Sequence, residues 1–281
     1  MNLIPIHCDR LVRKVRKGFP YQYDMNIYRG CEHGCLYCYA LYSHDYLNDN
    51  LFYENIYYKE NVIEVLEKEL SSGKIKGIIN IGSVCDSYQP CERELCLMRD
   101  ILKLMIQYKQ PINISTKSNL ILRDSDLISE LSKMTYVNIT SSITLADERK
   151  QRLIEPNAST SLERIKMLKE MKEKTSAKVG ILLMPIIPYI GDSYENLEAI
   201  YKTAKSFNLD YIYPGTLYLR GKTKSYFLNG IKNIDYNVYK KIKDLYKQGK
   251  CNSNYKKDIY RKIEELNKKY NMKYTKEDNM L

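Results

Sequence analysis

The chain has 281 residues, eight cysteines and a formal net charge of +11. This length suffices for one large α/β domain, and no apolar run reaches the ~20 residues of a membrane helix, so we expect a cytoplasmic protein without a secretion signal. In a reducing compartment, clustered cysteines indicate metal binding or catalysis more often than disulfides. The positive charge favours an anionic partner, such as a nucleic acid, a nucleotide or a phosphorylated metabolite, although lysine pairs near the chain end also suit solvent-facing helices.

The first third of the chain predicts a basic extension, two strands and a helix. Residues 1–22 are basic and interrupted by prolines, so we expect them to be irregular. Residues 22–28 alternate polar and apolar side chains, as a strand does, and lead into a cysteine-containing loop. A one-sided apolar pattern in 61–70 predicts a helix, and the apolar run 77–81 predicts a buried parallel strand before the polar loop 82–90. Both strands therefore end in loops that can carry function.

The same alternation continues along the chain. Further strands are predicted at 112–116, 137–145, 179–184 (stopped by Pro185) and 210–213 (broken by Pro214). Helices are predicted around 95–105, 124–131, 160–171, 197–207, 237–247 and 256–270. The third has a capping box at Thr160 and carries Leu162, Ile165, Leu168 and Met171 on one side. Six strand–helix units predict an α/β fold, a partial (β/α)6 barrel with extra C-terminal helices. We expect one domain, made of an N-terminal extension (1–22), a barrel core (23–219) and a C-terminal helical extension (220–281).

Three of the cysteines form a compact motif in the loop after the first strand. Cys31, Cys35 and Cys38 are separated by three and two residues. Three thiolates at this spacing can hold a [4Fe-4S] cluster and leave one iron of the cubane without a protein ligand. The alternative is a structural zinc site completed by His33 or His44, although zinc sites more often combine two paired Cys/His dyads. The motif therefore predicts a metal centre at the carboxyl end of a strand.

The sequence around these cysteines, Tyr-Arg-Gly-Cys-Glu-His-Gly-Cys-Leu-Tyr-Cys-Tyr-Ala at 28–40, resembles the radical S-adenosylmethionine (SAM) superfamily and its spore photoproduct lyase-like branch. Further matches are Thr-Lys-Ser at 116–118, Ser-Ile-Thr at 142–144 and Glu-Pro at 155–156. The resemblance implies that the open iron binds the amino and carboxylate groups of SAM, and that an electron from the cluster cleaves SAM to a 5′-deoxyadenosyl radical. It also implies an electron donor such as a flavodoxin or a ferredoxin.

The resemblance further implies a set of SAM contacts. Tyr37 occupies the aromatic position that lies near the adenine in this superfamily. Lys117 and Ser142, at the ends of the third and fourth strands, match positions that bind the SAM carboxylate in lyases of this branch. Gly82 and Ser83 lie where the second-strand loop presents backbone carbonyls to the amino group. The alternative for each of the four strand-end residues is ordinary contact with solvent, and for Tyr37 it is ordinary packing.

Two more residues have roles that the resemblance leaves open. Glu155, with Pro156 and the downstream Arg164, matches a stretch that recurs in the branch, and Glu155 either touches SAM or ties down its loop. Cys85 lies in the loop that carries a hydrogen-donating cysteine in spore photoproduct lyases. There the cysteine precedes a Ser/Thr-Asp pair, whereas Cys85 is followed directly by Asp86, which puts DNA-repair chemistry in doubt. Two other cysteines are expected to be small buried helix residues, Cys91 and Cys96.

Substrate contact is expected in the loop after the second strand. Asp86, together with Tyr88 and Gln89, is predicted to point to the barrel mouth. A carboxylate there can accept two N–H donors from the Watson–Crick edge of a guanine-like ring. The alternative for Asp86 is a turn-forming role. Three other residues are alternatives for reading the substrate, namely Glu54, Asn80 and Asp235.

Three functions are compatible with the sequence. The first is that of the queuine lyases in this branch, which the chain most resembles and which cut queuine to 7-aminomethyl-7-deazaguanine for salvage into tRNA modification. The second is repair of a thymine photoproduct in DNA, which the charge favours and the position of Cys85 opposes. The third is a zinc-stabilised module that binds nucleic acid without catalysis, which six strand–helix units make unexpected. A small purine-like substrate is thus expected, a nucleic-acid partner stays open, and no membrane partner is expected.

Overall fold

The structure is a computed structural model that describes residues 1–247 and 251–272. Within these residues the strands are β1 (Asn2–Ile6), β2 (Val12–Lys14), β3 (Tyr23–Met25), β4 (Tyr28–Arg29), β5 (Asn55–Lys59), β6 (Ile79–Ile81), β7 (Ile112–Ser115), β8 (Val137–Ser142), β9 (Lys178–Ile186) and β10 (Tyr211–Thr216). The α-helices are α1 (Val62–Ser71), α2 (Glu92–Leu95), α3 (Leu97–Gln107), α4 (Ser125–Met134), α5 (Glu148–Ile154), α6 (Ser161–Lys174), α7 (Tyr194–Ser206), α8 (Gly221–Ile234), α9 (Tyr236–Leu245) and α10 (Ser253–Tyr270). Two 3-10 helices span Tyr39–Leu47 and Asn119–Asp124.

The main sheet is open and almost entirely parallel. Its strands lie in the spatial order β10-β9-β8-β7-β6-β3-β2, and in the described residues β2 alone runs antiparallel to its neighbour. The six parallel strands are those predicted from the sequence, so the α/β fold with a parallel sheet is confirmed. The two edges of the described sheet do not pair to close a barrel. A smaller sheet, in the order β1-β5-β4, leads the chain into the cysteine loop.

Alternating side chains give each parallel strand two different faces. Ile79 and Ile81 of β6, like Ile112 and Ile114 of β7, are fully buried in a cluster that includes apolar residues of α3, α4, α6 and α7. Burying each isoleucine contributes roughly 1.5–3 kcal/mol. The residues between them point to the opposite side, which we call the inner face of the sheet. The carboxyl ends of these strands carry the loops predicted to be functional.

Helix α6 begins as predicted, but one of its leucines is exposed. Thr160 Oγ1 accepts a hydrogen bond from Glu163 N at 3.2 Å, and Glu163 Oε2 accepts one from Thr160 N at 2.6 Å, which completes the capping box. Leu162 is 45% exposed, so the prediction that it shares one side with the buried Ile165, Leu168 and Met171 was wrong. An α-helix turns by about 100° per residue. Leu162 and the buried Leu168 are six residues apart, so they lie roughly 120° apart around the helix axis.

The N-terminal region and two prolines also differ from the prediction. Residues 1–22 are not irregular throughout, because β1 pairs with β5 and β2 pairs with β3. Strand β9 continues through Pro185, which lies beyond the last residue paired with β8 and near a register shift with β10. Strand β10 continues through Pro214 as the edge strand of the described sheet. Prolines are tolerated at edges and irregularities because the missing N–H breaks no ladder hydrogen bond there.

Helices α5 and α8 lie outside the predicted pattern. Helix α8 packs against the cysteine loop at Gly230, where a Cβ would lie 2.9 Å from Leu36 Cδ1, so a tertiary contact supports a helix that contains glycine. Cys91 is buried as predicted, whereas Cys96 is exposed and separates α2 from α3 with φ 50°. Residues 248–250 and 273–281 of the predicted C-terminal extension lie outside the described residues. None of the described helices is both long and apolar enough to cross a membrane.

Candidate active site around the cysteine loop

The cysteine loop follows β4 and is held by backbone contacts to other segments. Gly30 opens the loop with φ +86°, and a Cβ there would lie 2.5 Å from the Asn55 carbonyl oxygen, so this position requires glycine. Cys31 N donates to Phe52 O at 3.2 Å. Leu36 N donates to the carbonyl of the last residue of α5 at 2.9 Å. The smaller sheet and α5 therefore fix the path of the loop.

The three cysteine thiols lie close enough to influence one another. Cys31 and Cys35 are buried, Cys38 is half-buried, and none forms a disulfide. Burial raises the pKa of all three thiols, that of Cys35 to about 12, and the charges of Asp86, Cys35 and Cys38 raise the pKa of Cys31 further. Such thiols need a cation to hold them as thiolates. This set of donors therefore fits a metal centre.

Both histidines considered for a zinc site have other partners. His33 Nε2 lies 2.9 Å from Asp86 Oδ2. His44 Nε2 lies 3.1 Å from Asn55 O, and its ring centroid lies 5.0 Å from that of Phe52. In the described part of the chain, no three Cys, His, Asp or Glu side chains are grouped as ligands of a single ion. A cubane differs from a single ion in that each thiolate binds a different iron, so its cysteines need not converge on one point.

Asp86 joins the cysteine loop to the ends of β6 and β7. The carboxylate is buried, and its Oδ1 accepts hydrogen bonds from Tyr88 N at 2.9 Å and Thr116 Oγ1 at 2.7 Å. Its Oδ2 accepts one from Lys117 N at 2.7 Å and lies 2.9 Å from His33 Nε2. These four contacts occupy the four lone-pair positions of a carboxylate. These contacts favour a positioning role for Asp86, and the hypothesis that it reads a substrate edge stays a prediction.

We expect the stability that the Asp86 carboxylate contributes to be lost in acid. Burial would raise its pKa, but His33 and the hydrogen bonds lower the pKa from 3.8 to about 2. Because the folded-state pKa is the lower one, the carboxylate stabilises the fold above about pH 4 by about 2 kcal/mol, and this contribution is lost as the pH falls toward 2. Urea unfolding of cluster-free protein at pH 2 and pH 5 should show a smaller acid loss for Asp86→Asn. An equal loss in the variant and the wild type would contradict this prediction.

Glu155 ties the cysteine loop to the core. Its fully buried carboxylate forms an ion pair with the fully buried Arg164 and accepts a hydrogen bond from Tyr37 Oη. Gln151 Nε2 donates to Glu155 Oε2 at 3.1 Å. Burial would raise the pKa of Glu155, but Arg164 and Lys117 lower it below its ordinary value, so the carboxylate stays charged. Of the two roles left open by the sequence, these contacts support tying down the loop, because Tyr37 belongs to that loop.

Lys117 places a half-buried cation beside the cysteine loop. Its Nζ lies 5.7 Å from the ring centroid of Tyr37. Burial would lower the pKa of Lys117, but Cys35 and Glu155 raise it above its ordinary value. No ion pair among the residues at 1–247 and 251–272 includes Lys117. A charged ammonium without an ion-pair partner can bind a carboxylate ligand.

The loop after β6 is held next to the cysteine loop. Gly82 has φ +88°, and its N–H donates to Met25 O at 3.0 Å. The Ser83 hydroxyl donates to Asp24 Oδ2. The Ser83 carbonyl accepts a hydrogen bond from Tyr39 Oη, and Tyr39 directly follows Cys38. These contacts bring the predicted SAM-binding loop and the cysteine motif to the same edge of the sheet.

Most of the chain matches the model of one protein superfamily. Residues 25–227, most of the chain, match the radical SAM superfamily. The chain belongs to this superfamily. Radical SAM enzymes use a [4Fe-4S] cluster and SAM, and these are the cofactors of this enzyme.

Relatives and solved structures extend the comparison. An uncharacterised Mycobacterium tuberculosis protein is 27% identical over 248 residues, which cover 86% of this chain and 73% of the relative. An uncharacterised Methanocaldococcus jannaschii protein is 33% identical over 171 residues, which cover 61% of this chain and 62% of the relative. Spore photoproduct lyase complexed with dinucleoside spore photoproduct has a TM-score of 0.70 at 12% identity, covering 95% of this chain and 79% of the lyase. A doubly substituted mutant of spore photoproduct lyase with bound AdoMet has a TM-score of 0.61 at 12% identity, covering 81% of this chain and 65% of that one. At this identity the likeness shows the fold alone.

The thiol of Cys85 is buried in the loop after β6 of this radical SAM enzyme. Its Sγ lies 3.8 Å from Asn26 Oδ1. Burial raises the pKa of Cys85 to about 12, so the group is a neutral thiol near pH 7. A neutral S–H is the form that can give up a hydrogen atom, and the role of Cys85 as a hydrogen donor stays a prediction.

Four other residues predicted to read the substrate have different surroundings. Tyr88 and Gln89 are fully buried, and Gln89 Oε1 accepts a hydrogen bond from Glu32 N at 2.9 Å. Asp235 caps α9 by accepting hydrogen bonds from the first two backbone N–H groups of that helix that follow Tyr236. Glu54 is exposed just before β5 in the smaller sheet. These surroundings do not favour substrate contact, and the role of these four residues in reading the substrate stays a prediction.

The fifth of these residues, Asn80, has neighbours that sequence reasoning missed. Asn80 lies on β6 between two buried isoleucines, and Asn113 and Asn138 occupy the matching positions of β7 and β8. The signal was an amide in the middle of an apolar strand, Ile-Asn-Ile at 79–81 and 112–114 and Val-Asn-Ile at 137–139. An amide between buried residues points to the opposite face of the sheet.

Proposed function

We propose that this radical SAM enzyme is a lyase that cleaves queuine to 7-aminomethyl-7-deazaguanine in queuosine salvage. The main support for this site is the half-buried Lys117, which has no ion-pair partner in the described residues and lies beside the cysteine loop, over the ring of Tyr37 and near Cys35. With the cluster and SAM bound, the site supplies a 5′-deoxyadenosyl radical that removes a hydrogen atom from the substrate. The polar side chains of the inner face support a substrate that forms hydrogen bonds.

The proposed cofactor contacts follow from where the chain holds its polar groups. Cys31, Cys35 and Cys38 hold the cluster. Lys117, in the loop after β7, binds the SAM carboxylate through its charge, and Ser142, the last residue of β8, binds it through its hydroxyl. The backbone carbonyls of Gly82 and Ser83 face the amino group, although the Ser83 carbonyl already accepts a hydrogen bond from a tyrosine. The adenine lies near Tyr37, whose ring is held by its hydroxyl contact with the loop anchor Glu155.

The role of Lys117 gives a direct prediction. Lys117→Ala should weaken SAM binding by about 1–3 kcal/mol, because the SAM carboxylate loses a charged partner in a half-buried site. Anaerobic equilibrium dialysis of the reconstituted protein with labelled SAM measures the change. Lys133→Ala is the matched control, because Lys133 is an exposed lysine of α4. Equal SAM affinity in the two variants would show that Lys117 does not bind SAM.

Repair of a thymine photoproduct is the second candidate function. The fold resembles spore photoproduct lyase, and the net charge of +11 favours binding to DNA. Against it, Cys85 directly precedes Asp86 instead of being one place removed from it. The two functions therefore differ in the substrate and share the cofactor site.

One experiment separates the two functions. The anaerobically reconstituted protein is incubated with SAM and dithionite, and with queuine or with irradiated DNA. Our proposal predicts that queuine stimulates formation of 5′-deoxyadenosine and that 7-aminomethyl-7-deazaguanine accumulates, whereas irradiated DNA does neither. Stimulation by irradiated DNA with restoration of thymine would establish the second function instead. A protein that binds SAM but responds to neither substrate would remove both.

A further inference from the structure

A row of polar side chains crosses the inner face of the sheet. Asp24, Asn80, Asn113 and Asn138 lie opposite one another on the neighbouring strands β3, β6, β7 and β8. Each asparagine donates from its Nδ2 to the Oδ1 of the residue before it, with Asn80 donating to Asp24 at 3.0 Å. The hydroxyl of Tyr211 on β10 donates to Asn138 Oδ1 at 2.9 Å. We call these five residues the amide row.

The carboxylate at the end of the row sets the direction of its hydrogen bonds. A charged Asp24 can only accept, so Asn80 must turn its NH2 group toward it, and this orients Asn113 and Asn138 in turn. Hydrogen bonds in such a chain polarise and strengthen one another. The row is therefore a rigid array with a known pattern of donors and acceptors.

A glycine lets the row extend across β9. Strand β9 lies between β8 and β10, so Tyr211 must pass over it to reach Asn138. It does so at Gly180, where a Cβ would lie 2.4 Å from Tyr211 Cζ. Lys178 Nζ lies 5.2 Å from the centroid of the same ring. Gly180 thus accommodates the tyrosine that ends the row.

The row lies on the same face of the sheet as the proposed SAM contacts. Every second residue of a strand shares a face, so Asn113 shares its face with Ser115 at the end of β7, two residues before Lys117. On β8, Asn138 likewise shares its face with Thr140 and Ser142. Four residues of β8 span about 13 Å at ~3.3 Å per residue. Between the two levels, Ser115 Oγ lies 2.6 Å from the Thr140 hydroxyl. The row and the proposed SAM contacts therefore lie on one face of the sheet, at different levels along the strands.

Inward positions of a closed eight-stranded barrel are usually filled by Val, Ile and Leu. Here amides and hydroxyls replace them. Each asparagine of the row uses one N–H and one lone pair within it, which leaves one N–H and one lone pair on each amide for another partner. A buried polar group that is left without such a partner lowers the stability of the folded protein. A ligand that binds the row must therefore offer donors and acceptors along one edge.

We propose that the amide row binds the hydrogen-bonding edge of a nucleobase-type heterocycle and so selects the substrate of this enzyme. A planar base offers neighbouring N–H and C=O or ring nitrogen groups in one plane, as the row does. The proposal rests on the function proposed above, because it places the substrate on the same face of the sheet as the proposed SAM contacts. Asp24 also accepts the Ser83 hydroxyl, so the row is connected to the predicted SAM-binding loop.

Direct binding tests this inference without catalysis. The reconstituted holoenzyme with SAM, kept unreduced, is dialysed against queuine, guanine, thymine and the apolar planar ring indene, and also against a thymidine dinucleotide to separate a free base from a base in a nucleic acid. The variants are Asn113→Ala and Asn113→Leu, so that a folding defect in one leaves the other. The matched control is Gln110→Met. Gln110 is a buried amide just before the amino end of β7, and its side chain donates to Gly77 O at 2.7 Å.

The expected result is that at least one base or the dinucleotide binds, that indene does not, and that both Asn113 variants weaken binding by at least about tenfold. Gln110→Met should bind the base like the wild type even if its melting temperature falls. Binding of guanine or thymine that depends on Asn113 would support the amide row even if queuine is not cleaved, so the two proposals fail separately. The inference is overturned if none of these bases binds, if indene binds equally well, or if the Asn113 variants bind like the wild type.

Discussion

Cys35→Ala is expected to abolish the visible absorbance of the reconstituted cluster and the cleavage of SAM. Cys35 is one of three thiols in the motif, and the cubane has no other protein ligand in the proposed site. Loss of one of three ligands exposes the cluster to water and to dissociation. The parallel strands should keep their fold, because Cys35 packs in a group of buried side chains that is separate from the hydrophobic core formed by the sheet and its outer helices.

Cys96→Ala is the matched control for this experiment. Cys96 is also a free cysteine, but it is exposed between α2 and α3. The control should bind as much iron and sulfide as the wild type and should cleave SAM at the same rate. Iron and sulfide analysis, visible absorbance and formation of 5′-deoxyadenosine measure the outcome. An iron-replete and active Cys35→Ala protein would refute the ligand assignment.

Arg164→Met is expected to be among the most destabilising single substitutions in the chain. Arg164 and Glu155 are both fully buried and form an ion pair. Removing one partner of a buried pair leaves an uncompensated charge, which typically costs about 3–5 kcal/mol of the free energy of unfolding. Because Glu155 also holds Tyr37, the cysteine loop should loosen as well. Urea unfolding under anaerobic conditions measures the loss of stability.

Two further variants show whether the buried charge is the cause. Arg261→Met breaks the exposed ion pair with Asp258 and should change stability by no more than about 1 kcal/mol. Replacing both Arg164 and Glu155 by methionine removes both charges and should be less damaging than Arg164→Met alone. A single variant Arg164→Met with nearly wild-type stability would show that the buried pair does not stabilise the loop.

Local patterns in the sequence were enough for the parallel strands and the cysteine motif. The strands at 79–81 and 112–114 are short apolar runs next to turns, and their burial depends on a pattern that repeats within a few residues. The capping box at Thr160 is equally local, because its hydrogen bonds join residues three apart. Membership of the radical SAM superfamily likewise follows from closely spaced residues, and the match over 25–227 confirms it.

The partners of buried polar groups depended on contacts between distant parts of the chain. Asp86 looked available for a substrate, but its partners His33 and Lys117 lie 53 and 31 residues away on either side, and the fold uses every lone pair of its carboxylate. The amide row is another case, since Asn113 and Asn138 become neighbours only when β7 pairs with β8 in one register. A sequence shows which side chains can form hydrogen bonds, whereas the tertiary structure decides which bonds form, because each group can bond only to those that the fold places within about 3 Å.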